Sequence, residues 1–183
     1  MADAKVNVAT AARHAAVSDT RYQTLRGLGA RAHQLRAVAR AADRFIARDG
    51  AEDRDTATWL VSSAVGLAAE VAAELDSLGS GLKESPAEPV LAGRLMALRK
   101  RAHELHAACR AADHFLEQES SEDQDTGSWL ASCAFAVADK LASEIDDSAG
   151  ALRRSGADAA SPALDAADAG VLRRVAAAAP LRA

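Results

Sequence analysis

The chain has 183 residues, 49% of them hydrophobic but only 3% aromatic, and carries a formal net charge of -4. Basic and acidic side chains are intermixed along it, which excludes the basic stripe that nucleic-acid binding uses, so no nucleic-acid partner is expected. Alanine fills 48 positions; it is the strongest helix former and gives a sheet little to pack with, so an all-α protein is expected.

Residues 1–20 are Ala-rich and lack apolar periodicity, which predicts a flexible N-terminal arm. The segment MADAKVNVATAARHAAV holds too short an apolar core for a signal peptide, and no run of 18 apolar residues occurs. With two cysteines, Cys109 and Cys133, and no framework spacing, the expectation is a bacterial-type cytoplasmic protein with no membrane contact.

From about Tyr22 to Arg48 the pattern becomes helical, with Leu28, Leu35, Val38, Ala42, Phe45 and Ile46 on one arc. An acidic connector at 49–54 follows, and Asp55 is expected to N-cap a second helix over 56–78. That helix buries Leu60, Ala64, Leu67, Val71, Leu75 and Leu78, and Gly79 should end it in the left-handed conformation. Residues 80–88 read as a linker, and Pro89 suits the first turn of a third helix over 89–118. Its arc is Leu98, Leu105, Ala108, Ala112 and Phe115. A second acidic connector spans 119–124, and Asp125 caps a fourth helix over 126–149 that buries Leu130, Ala134, Val137, Leu141 and Ile145. Residues 151–183 hold two prolines and two glycines and read as a flexible or partly helical tail.

These elements repeat. RAHQLRAVARAADRF at residue 31 returns as RAHELHAACRAADHF at residue 101, and over 49 positions at an offset of 70 there are 22 identities. A repeat should be read before local features. It divides the chain into a hairpin over 21–79 and a second over 89–150. One hairpin with a one-sided apolar stripe leaves half of it in water, whereas two facing hairpins bury both, at about 25 cal/mol per Å². The expected architecture is a pseudo-two-fold four-helix bundle built from two tandem antiparallel hairpins, an internal duplication.

The candidate functional residues lie away from the arcs, most of them kept in both halves. His33, Arg36, Arg40 and Asp43 plot on the face opposite the apolar arc, as do His103, His106, Arg110 and Asp113. Two recently separated copies would share such residues without any function; a working surface bearing an imidazole would share them too. His103 and His106 lie three apart, a metal-holding spacing, but the first copy has Arg36 at the second position, so no metal site is expected. Trp59 and Trp129 lie off the arcs near the start of their helices, where each either packs over the connector or stays exposed as a partner site. Glu52, Asp53 and Asp55 beside Trp59, with Asp123 and Asp125 beside Trp129, would give that site a negative rim.

Ala32-His33-Gln34-Leu35-Arg36 resembles the A-H-x-L-K segment of histidine phosphotransfer domains. The resemblance implies a four-helix bundle with an exposed mid-helix histidine and, three residues on, a basic side chain that neutralises the phosphoryl group. Ala37 stands where that family has a glycine, and His106 stands at the basic position of the second copy.

No nucleophile beside a base, Gly-rich phosphate loop or paired buried carboxylates occur, so no catalytic residue, enzyme activity or cofactor is expected. The expected function is a non-enzymatic helical-bundle interaction or regulatory module that binds a protein partner. The alternatives are a phosphotransfer-like module using His33 or His103, and a surface metal-binding or homo-oligomeric structural bundle in which Val65 and Phe135 extend the apolar face.

Overall fold

The computed structural model describes the backbone of residues 2–48, 50–82, 89–118 and 120–177, and side chains within 16–17, 19–48, 50–80, 90–118 and 120–154. Four helices make up the described chain: α1 Ala2–Ile46, α2 Ala51–Leu82, α3 Pro89–Leu116 and α4 Ser121–Ala177. No strand occurs among the described residues. Residues Thr24–Ser148 form one compact unit; Met1–Gln23 and Ala149–Ala183 form another.

The larger unit is a four-helix bundle whose seam residues recur at alternating steps of three and four. On α1 these are Leu25, Leu28, Ala32, Leu35, Ala39 and Ala42; on α2 Ala57, Val61, Ala64, Ala68, Val71 and Leu75. On α3 they are Leu95, Leu98, Ala102, Leu105, Cys109, Ala112 and Leu116, and on α4 Ala131, Ala134, Ala138, Leu141 and Ile145. Steps of three and four sum to seven, the repeat that keeps one narrow stripe facing neighbouring helices.

This seam differs from the expected arcs. Leu60, Leu67, Leu78, Val38, Ala108, Phe45, Phe115, Leu130 and Val137 are only half-buried, beside the seam. Half of the seam lies on the expected arcs; of the twelve seam positions those arcs lack, seven are alanines. Small side chains shorten the distance between helix axes, and the larger neighbours then cover the seam from its flanks. Val65 and Phe135, expected to extend the apolar face, are likewise half-buried beside Ala64 and Ala134.

Polar pairs fix the helix order. Arg31 pairs with Glu74, joining α1 to α2, and Arg101 with Glu144, joining α3 to α4. His33, Arg36 and Asp43 of α1 meet Asp146, Asp139 and Ser132 of α4. Arg99, His103 and Asp113 of α3 meet Asp76, Asp76 and Ser62 of α2. In both seams residue numbers fall on one helix as they rise on the other, so the neighbours run antiparallel and the two hairpins face each other. Among the described residues no buried side-chain nitrogen or oxygen lacks a hydrogen-bond partner.

Helix ends depart from expectation. α2 and α4 begin at Ala51 and Ser121, earlier than the expected caps, which leaves Asp55 and Asp125 inside the helices. The acids Glu52, Asp53, Glu122 and Asp123 occupy first turns, where the positive end of the helix dipole favours them. At the second connector Ser120 caps: the Asp123 N–H donates to its Oγ over 3.1 Å, and the Ser120 hydroxyl donates to Asp123 Oδ2 over 2.6 Å. Gly79 does not end α2, which continues to Leu82. Of the expected linker 80–88, residues 83–88 lie outside those described. α3 does begin at Pro89.

The expected N-terminal arm and C-terminal tail are helical in the smaller unit. α1 starts at Ala2, and α4 runs through Gly150 and Pro162 to Ala177. Alanine's helix propensity prevails there over the cost of about 1 kcal/mol for an interior glycine and about 3 kcal/mol for a proline. Residues 178–183 lie outside those described.

α2 over Ala51–Ser80 is long and apolar enough by composition to cross a membrane, with a mean hydropathy of 1.3 in its richest window. Its valines and leucines supply most of this value, and its seam residues sit in the bundle core.

Candidate partner-binding surface

Trp59 lies two residues after Ala57 and two before Val61, both buried seam residues. At 100° per residue it therefore points about 200° away from each, into solvent. The same holds for Trp129 between Gly127 and Ala131, and the two tryptophans are 68% and 66% exposed. Packing over the connector, one of the two expectations for them, does not occur. A large aromatic left in water once is unremarkable; the same aromatic at the same place in both hairpins marks a surface.

The outward stripe through Trp59 also carries Asp55 one turn and Glu52 two turns before it, both exposed; Asp125 and Glu122 stand likewise before Trp129. These four carboxylates have no cationic partner among the described residues. Asp53 and Asp123, expected in the same rim, are half-buried and belong to the connectors: Asp53 faces Arg48 at 3.8 Å, and Asp123 is held by Ser120. The rim is thus made by Asp55, Asp125, Glu52 and Glu122. Glu52 was expected in this rim; its counterpart Glu122 follows from the same seven-residue spacing to the tryptophan. Beyond each tryptophan the stripe passes over exposed Gly66, Glu70 and Ala73 on α2, and over exposed Ala136, Lys140 and Ser143 on α4.

The expected His–Arg faces resolve differently. Only Arg40 and Arg110 are exposed without a partner among the described residues. His33 Nε2 lies 2.7 Å from Asp146 Oδ2, with the histidine side chain 39% exposed. Arg36 reaches Asp139 at 3.3 Å. His103 Nε2 lies 3.1 Å from Asp76 Oδ2 and is 54% exposed. Asp43 and Asp113 accept hydrogen bonds from Ser132 and Ser62. His106 is half-buried, opposite a helix that has Ala69 where Asp139 meets Arg36. Most of these residues clamp neighbouring helices, because at this radius around the helix axis a long polar side chain reaches across the seam. Sequence periodicity alone gives the angle of each residue and not the neighbour that meets it.

That geometry bears on phosphotransfer chemistry. In both halves the imidazole Nε2 faces a carboxylate, and a phosphoryl group placed there would meet like charge. Nor does a metal set form: among the described residues no three His, Cys, Asp or Glu side chains gather as ligands could.

Two groups have shifted acidities. The Arg99 guanidinium, and secondarily His103, hold the Asp76 carboxyl below the ordinary carboxylate range. Burial, reinforced by Asp113, pushes the Cys109 thiol up to about 12. Cys109 lines a small apolar cavity of about 10 Å³ with Ala39, Ala42, Val61 and four alanines of α2, α3 and α4. That space is about one water molecule's probe sphere and offers no polar wall to hold one.

Comparison with models of known protein families, with curated proteins and with solved structures finds no match.

Proposed function

We propose that the chain is a non-enzymatic interaction module, built from two tandem copies of one hairpin, that binds a protein partner through its two tryptophan faces. The observation that carries this is the exposure of Trp59 and Trp129 at positions related by the 70-residue offset. Most other residues kept in both halves have a structural task. Ala32, Leu35, Ala42, Ala64, Ala68 and Ala72 fill the seam with their counterparts, and Arg31, His33, Asp43, Ser62, Glu74 and Asp76 bridge helices with theirs. The tryptophans have no such task, and an exposed indole is among the commonest energetic anchors of protein interfaces.

Affinity capture from the source organism, with the wild type and a Trp59→Ala/Trp129→Ala variant in parallel, tests this. A partner retained by the wild type and lost by the variant is expected. An identical set of retained proteins on both would overturn the proposal.

A further inference from the structure

We infer, on the basis of the tryptophan-face proposal above, that the partner presents a cationic segment, with Lys or Arg side chains that lie over the indoles and pair with the carboxylates before them. Asp55 and Glu52 stand about 6 and 10 Å along the helix axis from Trp59, at 1.5 Å rise per residue. All three are exposed on one stripe. Asp125, Glu122 and Trp129 repeat the arrangement.

The helix dipole accounts for the glutamates, which lie in first turns. It does not account for Asp55 and Asp125, because its influence fades beyond the first turn. Glu70, Glu117 and Asp147 are exposed without a partner among the described residues, whereas six other carboxylates are met by a side chain of the facing helix: Glu74 and Glu144 by arginines, Asp76 and Asp146 by histidines, Asp43 and Asp113 by serines. The stripe acids face solvent instead, next to an aromatic face that attracts cations electrostatically. A carboxylate pair and an indole on one stripe complement an amphipathic segment whose polar side is basic. An acidic segment would be repelled, and a neutral one would leave the carboxylates unpaired and partly desolvated.

The sequence contains only two tryptophans, both on these faces, so intrinsic fluorescence reports binding directly. The test titrates the full chain with two synthetic helical peptides that share one apolar face, one bearing Lys and Arg on its polar face and the other Glu. The basic peptide is expected to bind at least about tenfold more tightly, a margin worth ~1.4 kcal/mol. Asp55→Asn/Asp125→Asn should erase that margin while the fold, followed by circular dichroism, is unchanged. Raising the salt well above 0.15 M, where the screening length is about 8 Å, should also narrow it. Equal binding of both peptides, or failure of the basic peptide to bind, would overturn the cationic assignment while leaving the tryptophan-face proposal to its own capture test. A margin that survives the Asp substitutions would overturn the assignment of these carboxylates.

Discussion

Arg99 donates from Nε to Asp76 Oδ1 over 2.7 Å, and the equivalent place in the other half holds Gly29, a residue with nothing to donate. A Cβ added there would come within 3.0 Å of Asp146 Oδ1, so α1 lies close beside that carboxylate. Asp76 therefore has two hydrogen-bonding neighbours, the Arg99 guanidinium and the His103 imidazole, where Asp146 has His33. Gly79 matches the arrangement: a Cβ on it would fall 2.9 Å from the Arg99 side chain.

Replacing Asp76 by Asn should destabilise the bundle at neutral pH more than Asp146→Asn does. The effect should stay below about 1 kcal/mol, because the pair is a third exposed and screened by solvent. Its pH dependence has a definite sign. The carboxyl of Asp76 titrates lower in the folded state than its unfolded value of about 3.9. Its contribution is therefore complete above that unfolded value and is lost as pH falls through the folded one. Urea midpoints of wild type and Asp76→Asn should converge as the pH falls below about 4; a constant gap from neutral pH down to that range would contradict the assigned ion pair.

Two helical glycines should respond in opposite directions to alanine. At Gly127 an added Cβ would lie 2.8 Å from the backbone nitrogen of Leu116 and 2.8 Å from its Cγ. Backbone cannot swing aside, so Gly127→Ala should cost roughly 1–3 kcal/mol. At Gly66 a Cβ meets nothing within 4 Å, and Gly66→Ala should stabilise α2 by up to about 1 kcal/mol. Thermal melts of the two variants give the comparison, and equal shifts would speak against the close packing of α4 on the end of α3.

The cysteines should differ in reactivity. Burial of Cys109 keeps its thiol protonated far above neutrality, with a pKa of about 12, while Cys133 is half-exposed. The thiolate is the nucleophile. Alkylation of the folded chain at pH 8 followed by peptide mass analysis should therefore find label at Cys133 alone. Comparable labelling of Cys109 would mean that the core opens readily. Cys109→Ala should enlarge the adjacent cavity and lower stability by ~1 kcal/mol.

Both tryptophans should emit as water-exposed indoles in the native state and be quenched by acrylamide nearly as well as in urea. Because they face solvent, Trp59→Ala and Trp129→Ala should each change stability by no more than about 0.5 kcal/mol. A larger loss in a chemical melt would show that the indoles support the fold.

Much of the architecture was legible along the chain. Helix content follows from alanine's local backbone preference, and the approximate centres of the helices from apolar spacing that each helix displays by itself. The place of the connectors, and the partition into two facing hairpins, follow from the 70-residue repeat and the need to bury two one-sided stripes. Those are properties of neighbours in sequence.

What the tertiary structure decided was contact. The expected arcs include Leu60, Leu67 and Val38, which lie beside the seam, and lack Ala57, Ala68 and Ala39, through which the helices meet. The closeness of two backbones depends on how small the facing residues are on both, and no single helix contains that information. The shift of one position turned Trp59 and Trp129 fully outward. Likewise His33 finds Asp146 at a separation of 113 residues. Only the packed bundle brings that carboxylate within reach of the imidazole and makes a helix clamp of a residue that helical periodicity alone had left facing water.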